Sequence, residues 1–339
     1  MRNVEALAFK KQKKYYHPYC SNMKVIQHLE EAKRTLFSIE ILPPLKGDNI
    51  QEIYSTMNEL IQFEPAFVDV TYHREEYVFR DAGNGLLKKH TVRKRPGTVG
   101  ICAALLNKYQ IDTIPHIICG GFSKQDTEDA LIDLHFLGID NVLLLRGDAI
   151  KSEGRFVPEV DGNKYAKELV QQVVNMNEGK YLDPDLRNVQ HTNFCIGVAG
   201  YPEKHFESPN QQMDLSYLKQ KVDAGAEYIV TQMFFDNQKY FSFVEACRAA
   251  GINVPIIPGL KPLSTLSQLN ILPHHFHIDI PQELTEQVLR AKSKEEIQEI
   301  GIAWCIAQSK ELKDAGVPCL HYYTMGKVKA ISAIASSVF

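Results

Sequence analysis

The sequence lacks the features that would place it in a membrane, outside the cell or on a nucleic acid. No apolar run is long enough to span a bilayer, and the N-terminus has no apolar secretory core, so the expected setting is cytoplasmic. Charge is nearly balanced: 38 Lys and Arg against 41 Asp and Glu leave a formal net charge of -3, which gives no global reason to expect nucleic acid as a partner. There is no C-x-x-C pair. The 7 cysteines are odd in number and scattered, and Cys119, Cys195 and Cys319 sit in apolar strand-like runs, which reads as reduced core thiols. The cluster His274-His275-Phe276-His277 has no cysteine or carboxylate companions at ligand spacing, so it reads as a surface turn and no metal is expected. Neither G-x-G-x-x-G after a strand nor G-x-x-x-x-G-K-[ST] occurs, so the usual phosphate turns of open-sheet nucleotide folds are missing.

What is present is an ordinary globular composition, 44% hydrophobic and 23% charged over 339 residues, enough for one large barrel or two smaller domains. Residues 1–22 differ from the rest: Arg2, Lys10, Lys11, Lys13 and Lys14 face one acid, Glu5, and predict a flexible basic extension. From Met23, where a helix-like pattern begins, strand-like and helix-like stretches alternate. Strands are predicted at 37–42, 67–72, 113–119, 141–147, 194–201, 228–234, 254–260 and 319–325. Helices are predicted at 50–63, 124–137, 163–177, 211–224, 238–250, 294–315 and 326–337, with Gly138, Gly225, Gly251 and Gly316 as stops before the next strand. Eight alternating strands predict a (β/α)8 TIM barrel, a single domain over 23–339, with a doubly wound open sheet as the alternative.

In such a barrel the chemistry sits at the C-terminal strand ends. The first strand, Phe37-Ser38-Ile39-Glu40-Ile41-Leu42, is stopped by Pro43-Pro44 and carries Glu40, a carboxylate costly to bury without a partner or purpose. The other ends bring Asp69 to His73, His116, Arg146-Gly147-Asp148, Tyr201 to His205, Thr231-Gln232, and His321 to Thr324 before Lys327. Each alone has a structural explanation: a hydrogen-bonded core histidine for His116, a cap for Asp148, a turn at Tyr201-Pro202. Together on one rim they predict an enzyme site.

The motifs Phe-Ser-Ile-Glu-Ile-Leu-Pro-Pro (37–44), Leu-Arg-Gly-Asp (145–148), Tyr-Pro-Glu-Lys-His (201–205), Lys-Val-Asp-Ala-Gly-Ala (221–226), Thr-Gln-Met-Phe-Phe-Asp (231–236) and Pro-Gly-Leu-Lys-Pro (258–262) resemble, in order, those of the methylenetetrahydrofolate reductases, in their short bacterial form. The resemblance implies an FAD-dependent, ping-pong reduction of 5,10-methylenetetrahydrofolate to 5-methyltetrahydrofolate with NADH or NADPH, in a homo-oligomer. It implies Glu40 as the general acid, for which a raised pKa is expected, and Asp148 as the carboxylate that steadies the cationic intermediate near the flavin. Flavin-side positions are Thr71, Tyr72, His116, Arg146, Gly147, Asp148, Ala166, Tyr201, His205, Asp214 and Lys221. Substrate-side positions are Gln232, Gln268 and Lys327, with Thr71, Tyr201 and Gln232 also facing the nicotinamide nucleotide. Three features depart from or extend the pattern: Lys327 stands in place of an arginine, so a point charge replaces a bidentate fork; Tyr217 and Gln220 replace polar or basic residues; and the long connection from His73 to Thr113 carries Lys88, Lys89, Arg93, Lys94 and Arg95, read as a solvated loop face or, alternatively, as an attractor of the folate polyglutamate tail. Rival readings are a folate- or flavin-binding paralogue without turnover and another pterin-acting barrel enzyme such as a flavin-free methyltransferase.

Overall fold

The computed structural model describes residues 22–150 and 153–339. The expected extension, residues 1–22, lies outside them apart from Asn22, whose side-chain amide donates to the Gly138 carbonyl. The strands are β1 (Leu36–Ile41), β2 (Phe67–Val70), β3 (Glu76–Asp81), β4 (Leu87–Val92), β5 (Asp112–Ile118), β6 (Asn141–Leu145), β7 (Cys195–Gly200), β8 (Tyr228–Thr231), β9 (Ile256–Ile257), β10 (Gly259–Leu260) and β11 (Cys319–Tyr323). The helices are α1 (Val25–Glu31), α2 (Gln51–Leu60), α3 (Thr98–Tyr109), α4 (Lys124–Phe136), α5 (Ala166–Asn177), α6 (Gln211–Asp223), α7 (Asn237–Ala249), α8 (Gln268–Phe276), α9 (Gln282–Arg290), α10 (Lys294–Asp314) and α11 (Val328–Val338). All strands but β3 and β4 form one parallel sheet in the order β10-β11-β1-β2-β5-β6-β7-β8-β9. β9 and β10 are a single strand interrupted at Pro258, whose nitrogen carries no hydrogen for a ladder. Its two pieces pair on opposite sides, β9 with β8 and β10 with β11, and so bring the ends of the sheet together as the expected eight-stranded barrel.

Side chains alternate in and out along each strand. Phe37, Ile39, Ile41, Val68 and Val70 face the helices in the main core, whereas Phe67, Ile114, Leu143, Cys195, Tyr228, Ile257 and Cys319 form a separate apolar cluster in the barrel interior. Val25 of α1, fully buried, joins that cluster. Asn141 fixes this helix, taking the Val25 amide on Oδ1 at 2.8 Å and giving its side-chain amide to the Met23 carbonyl at 2.9 Å. The barrel is therefore closed by apolar packing at the N-terminal end, which leaves polar groups to the other end.

The structure corrects the sequence reading in several places. The second, fourth and sixth strands stop at Val70, Leu145 and Thr231, two or three residues before their predicted ends, and beyond Val70 and Thr231 a single amide still reaches the neighbouring strand, Thr71 to the Ile41 carbonyl and Gln232 to the Gly200 carbonyl. The connection read as a loop from His73 to Thr113 contains the β3–β4 hairpin and α3; its turn, Gly83-Asn84-Gly85, has all three residues at positive φ, as tight hairpin turns require. His274 and His275 are in the last turn of α8 and His277 is its left-handed cap, so the cluster read as a surface turn is a helix end. The four predicted stop glycines all lie at positive φ beyond their helices. No helix among the described residues is long and apolar enough to cross a membrane.

One helix contact carries a prediction. A Cβ on Gly301 of α10 would lie 1.8 Å from the Leu263 carbonyl oxygen. Intrinsic propensity favours Ala over Gly in a helix by about 1 kcal/mol, but pushing α10 off this backbone costs about 3 kcal/mol. Gly301→Ala is expected to lose about 2 kcal/mol net, read as a lower urea midpoint at unchanged slope; a variant as stable as the parent would show that α10 shifts freely.

Candidate active site

Parallel register assembles the first polar group inside the barrel. It sets Glu40 opposite Asp69 on β2 and Tyr323 on β11, and Ser38 opposite His321. Glu40 Oε1 accepts the Thr71 hydroxyl at 2.7 Å. Glu40 Oε2 lies 3.6 Å from His116 Nε2 and 3.9 Å from His321 Nε2. His116 Nε2 is also 3.3 Å from Asp69 Oδ2, and Ser38 Oγ meets His321 Nδ1 at 2.9 Å. Asp69, His116 and His321 are buried, while the Glu40 side chain keeps 12% of its surface exposed at the open end. Asp69 Oδ1, His116 Nδ1 and His321 Nε2 are buried without a hydrogen-bond partner, an unusual concentration of open polar sites in one core.

The electrostatics reverse one expectation. Burial pushes the Glu40 carboxyl up, but the charge of His116, the neighbouring His321 and the Thr71 hydroxyl outweigh it, and the pKa is lowered from the ordinary 4.5. For His116 burial pushes down, and Glu40 and Asp69 outweigh it, so its pKa is raised above 6.5. Both shifts favour the proton on His116 over Glu40, the reverse of what an isolated carboxyl on a buried strand suggested.

The second polar group lines a cavity of about 460 Å³ between the ends of β6 and β7 and helices α5 and α6. Of the expected flavin-side residues, Arg146, Ala166, Tyr201, His205, Asp214 and Lys221 line it, as do Tyr217 and Gln220. Arg146 pairs with Glu207, whose carboxyl it holds below the ordinary range. The Lys221 amine donates to the Ala199 carbonyl at 2.5 Å, and burial lowers its pKa to about 8 against the weaker pull of Asp214. Asp214 accepts from Ser208 Oγ at 2.6 Å and the His205 amide at 3.2 Å. His205 packs edge-on to Tyr201 with ring centroids 4.7 Å apart; burial, with Arg146 nearby, lowers its pKa. Tyr165 and Tyr217 present exposed rings along the lining. Tyr165 and Glu207 were missed from sequence: Tyr165 falls inside the predicted helix 163–177, although the helix starts only at Ala166, and Glu207 lies in a loop, where no periodicity marks it.

The remaining expected residues are dispersed around these two groups. Thr71 belongs to the interior cluster. Tyr72 packs edge-on to Phe122 at 5.1 Å. Asp148 is exposed just beyond Gly147; no hydrogen bond or ion pair joins it to Glu40, but the charges of both act on His73. His73 is exposed, and Arg95 also acts on it; in the sequence it marks only the end of a strand. Gln232 is half-buried and takes the Met233 amide on Oε1 at 2.9 Å. Gln268 Oε1 takes the Ser264 amide at 2.7 Å and so clamps the loop that enters α8. Lys327 is exposed at the start of α11. Four of the five basic residues of the hairpin region are engaged locally: Lys94 with Glu76 at 2.5 Å, Lys89 3.3 Å from the centre of the Tyr77 ring, Arg93 near the Tyr72 ring, and Arg95 on the Pro43 carbonyl. This favours the solvated-face reading over a polyglutamate attractor.

A family pattern described as methylenetetrahydrofolate reductase matches residues 24–338. "5,10-methylenetetrahydrofolate reductase" of Pectobacterium carotovorum subsp. carotovorum is 29% identical over 310 residues, covering 91% of this chain and 92% of the relative. "Methylenetetrahydrofolate reductase 2" of Saccharomyces cerevisiae is 32% identical over 317 residues, covering 91% of this chain and 48% of the relative. The chain thus spans about half the length of the yeast and plant relatives it matches. Among solved structures, an uncharacterized Clostridium thermocellum protein described as binding two copies of 5-methyl-5,6,7,8-tetrahydrofolic acid superposes with a TM-score of 0.53 at 14% identity, covering 92% of this chain and 96% of that one, a likeness of fold. With the ordered strand-end motifs and a match that runs almost from end to end, the chain belongs to the methylenetetrahydrofolate reductase family.

Proposed function

We propose that this chain reduces 5,10-methylenetetrahydrofolate to 5-methyltetrahydrofolate with NADH or NADPH, in two half-reactions that share one site, with FAD as the redox cofactor and a homo-oligomer as the working form. The observation that carries this reading is the buried Glu40–His116–Asp69–His321 cluster, open at the barrel mouth that the cavity adjoins. Relatives are named for either nucleotide, NADH in Arabidopsis thaliana and NADPH in Caenorhabditis elegans.

The donor set of the cavity suits FAD. Arg146, His205 and Lys221 offer donors to a pyrophosphate, Asp214 an acceptor to a sugar hydroxyl, and Tyr165 and Tyr217 flat faces to an adenine. FAD, when bound, supplies the acceptance of hydride from the nicotinamide and its delivery to the folate. The chain supplies orientation, charge and the proton. The imidazolidine ring of the substrate must open before it can accept hydride, and opening requires a proton at N10. Thr71 holds Glu40 Oε1, which leaves Oε2 as the atom that exchanges a proton with His116 Nε2. When substrate covers the open end and removes water, the charged form of Glu40 becomes costlier and the proton moves from imidazole to carboxyl and on to N10. Asp148, at the rim, is placed to stabilise the cation that results.

Lys221 gives a separable test of the cofactor assignment. Lys221→Met is expected to weaken flavin retention about tenfold, since it removes one charge-assisted hydrogen bond. The ratio of flavin to protein absorbance after gel filtration reads this directly; full retention would place the pyrophosphate elsewhere. The proposal as a whole is tested by colour and turnover. A yellow protein, bleached anaerobically by NADH or NADPH and recoloured by 5,10-methylenetetrahydrofolate, is the expected result, whereas a colourless protein that cannot be reconstituted with FAD contradicts it.

A further inference from the structure

Arg74 follows β2 on the barrel rim and belongs to neither polar group described above. Its side chain is only 8% exposed, and a guanidinium so far withdrawn from water requires carboxylates beside it. Both come from one segment, the chain between β6 and α5. Arg74 Nη2 lies 3.4 Å from Glu159 Oε1, and Nη1 lies 3.8 Å from Glu153 Oε2. Arg74 Nε, Arg74 Nη1 and Glu153 Oε2 are buried without a hydrogen-bond partner, and the longer contact exceeds a charge-assisted hydrogen bond by about 1 Å. The clamp therefore has donors in reserve.

The backbone makes room for this crossing. β5 is followed by Cys119-Gly120-Gly121. A Cβ on Gly120 would meet Arg74 Cδ and Phe156 Cε2, both at 3.3 Å, and one on Gly121, which is at positive φ, would meet Arg74 Cβ at 3.4 Å. The Arg74 stem thus lies along this glycine pair, with Phe156 packed at the same place. Phe156 in turn carries the Arg146 guanidinium, 4.9 Å from its ring centre, and Arg146 lines the cavity. Beyond the clamp, the Asp161 carbonyl accepts the Lys124 amide at 3.2 Å and the Asn163 side-chain amide donates to Gln172 Oε1 at 2.7 Å. The chain then enters the cavity wall at Tyr165 and Ala166.

We propose that Arg74 is a positioning residue for the flavin: by clamping Glu153 and Glu159 it holds Phe156 beneath Arg146 and keeps the segment that leads to Tyr165 in place as one wall of the cavity. Arg74 lines no part of the cavity itself and acts through Phe156 and Arg146. The inference rests on FAD occupying that cavity. A guanidinium is suited to the task, because its planar fork can serve two carboxylates at once, whereas an ammonium presents a point charge.

The test compares Arg74→Met, Arg74→Lys and Phe156→Leu in the full chain loaded with FAD, with release followed by the rise of flavin fluorescence after dilution. Arg74→Met is expected to speed release about tenfold, the scale of one charge-assisted contact. Arg74→Lys, able to serve one acid but not both, speeds it about threefold. Phe156→Leu also speeds release, and the double variant Arg74→Met with Phe156→Leu releases no faster than Arg74→Met alone, because both changes interrupt one line of contacts. In the FAD-free protein, amide hydrogen exchange of residues 153–163 quickens in Arg74→Met while β2 and α5 exchange as in the parent. Unchanged release in Arg74→Met overturns the proposal, as do additive effects of the two substitutions. Exchange that quickens across β2 and α5 alike also overturns it, since Arg74 would then be a general stabiliser of the barrel. A parent protein that takes up no FAD defeats the underlying functional reading instead, a result seen before any variant is compared.

Discussion

Replacing Glu40 by glutamine lowers folate turnover about a hundredfold or more, the usual scale for loss of a general acid, while bound flavin is still bleached by NADH or NADPH. Glutamine matches the carboxyl in size and accepts the Thr71 hydroxyl as before, so the strand, the register with Asp69 and the neighbouring cavity are kept. What it cannot do is take a proton from His116 Nε2 and pass it on. The nucleotide half-reaction needs no proton at this position and proceeds. Stopped-flow absorbance separates the two steps. An equal loss in both would mean that Glu40 positions the cofactor, and normal folate turnover would remove it from the mechanism.

His116→Gln is the second large effect, and it falls on stability as well as rate. In the parent, Glu40 contributes stability above its unfolded pKa of 4.5 and loses it as pH falls through its lowered folded value. His116 contributes fully below 6.5 and loses its contribution as pH rises through its raised folded value. The pair therefore stabilises most fully between these limits. Removing the imidazolium leaves Glu40 buried without its principal cation, a change that costs about 3 kcal/mol in comparable pairs. The Glu40 carboxyl then moves upward under its own burial, and the variant becomes more stable as pH falls from 7.5 to 5.5, since protonation relieves the unpaired charge. Urea unfolding at the two pH values checks the sign. Folate turnover at pH 7.5 is expected to fall about as far as in Glu40→Gln, because the imidazole that supplies the proton is gone, and to recover in part toward pH 5.5 as Glu40 itself takes a proton. Parent-like stability at pH 7.5 would show that the Glu40–His116 attraction contributes little.

Which parts of this were legible in the sequence follows from the range of each signal. The barrel was legible because strand and helix periodicities are local and eight alternations are hard to mimic. Glu40, His116 and Arg146 were legible as rim residues because polar groups in apolar strands violate a strong pattern. The network was not. Ser38, Asp69 and His321 share the inward parity of Glu40, but which of them meet depends on the stagger between β11, β1 and β2, and stagger is a tertiary property. The direction of the Glu40 pKa failed for the same reason: burial was visible from one strand, while the histidines that overcome it come from two others. The hairpin of residues 76–92 was legible in principle from Gly83-Asn84-Gly85 between alternating runs, but its many charges masked the period. Helices α8 and α9 were hidden by Pro273 and by their short length.

In the proposed mechanism the proton for folate reduction is stored on the Glu40–His116 pair and plays no part in the nucleotide step. The most direct test of this is the pH dependence of the two half-reactions in the parent protein, each followed alone by anaerobic stopped flow. Flavin reoxidation by 5,10-methylenetetrahydrofolate is expected to fall on an alkaline limb lying above pH 6.5, as His116 loses its proton, while flavin reduction by NADH or NADPH shows no such limb. A reoxidation rate that stays level up to pH 9, or a limb of the same position in both half-reactions, would contradict it.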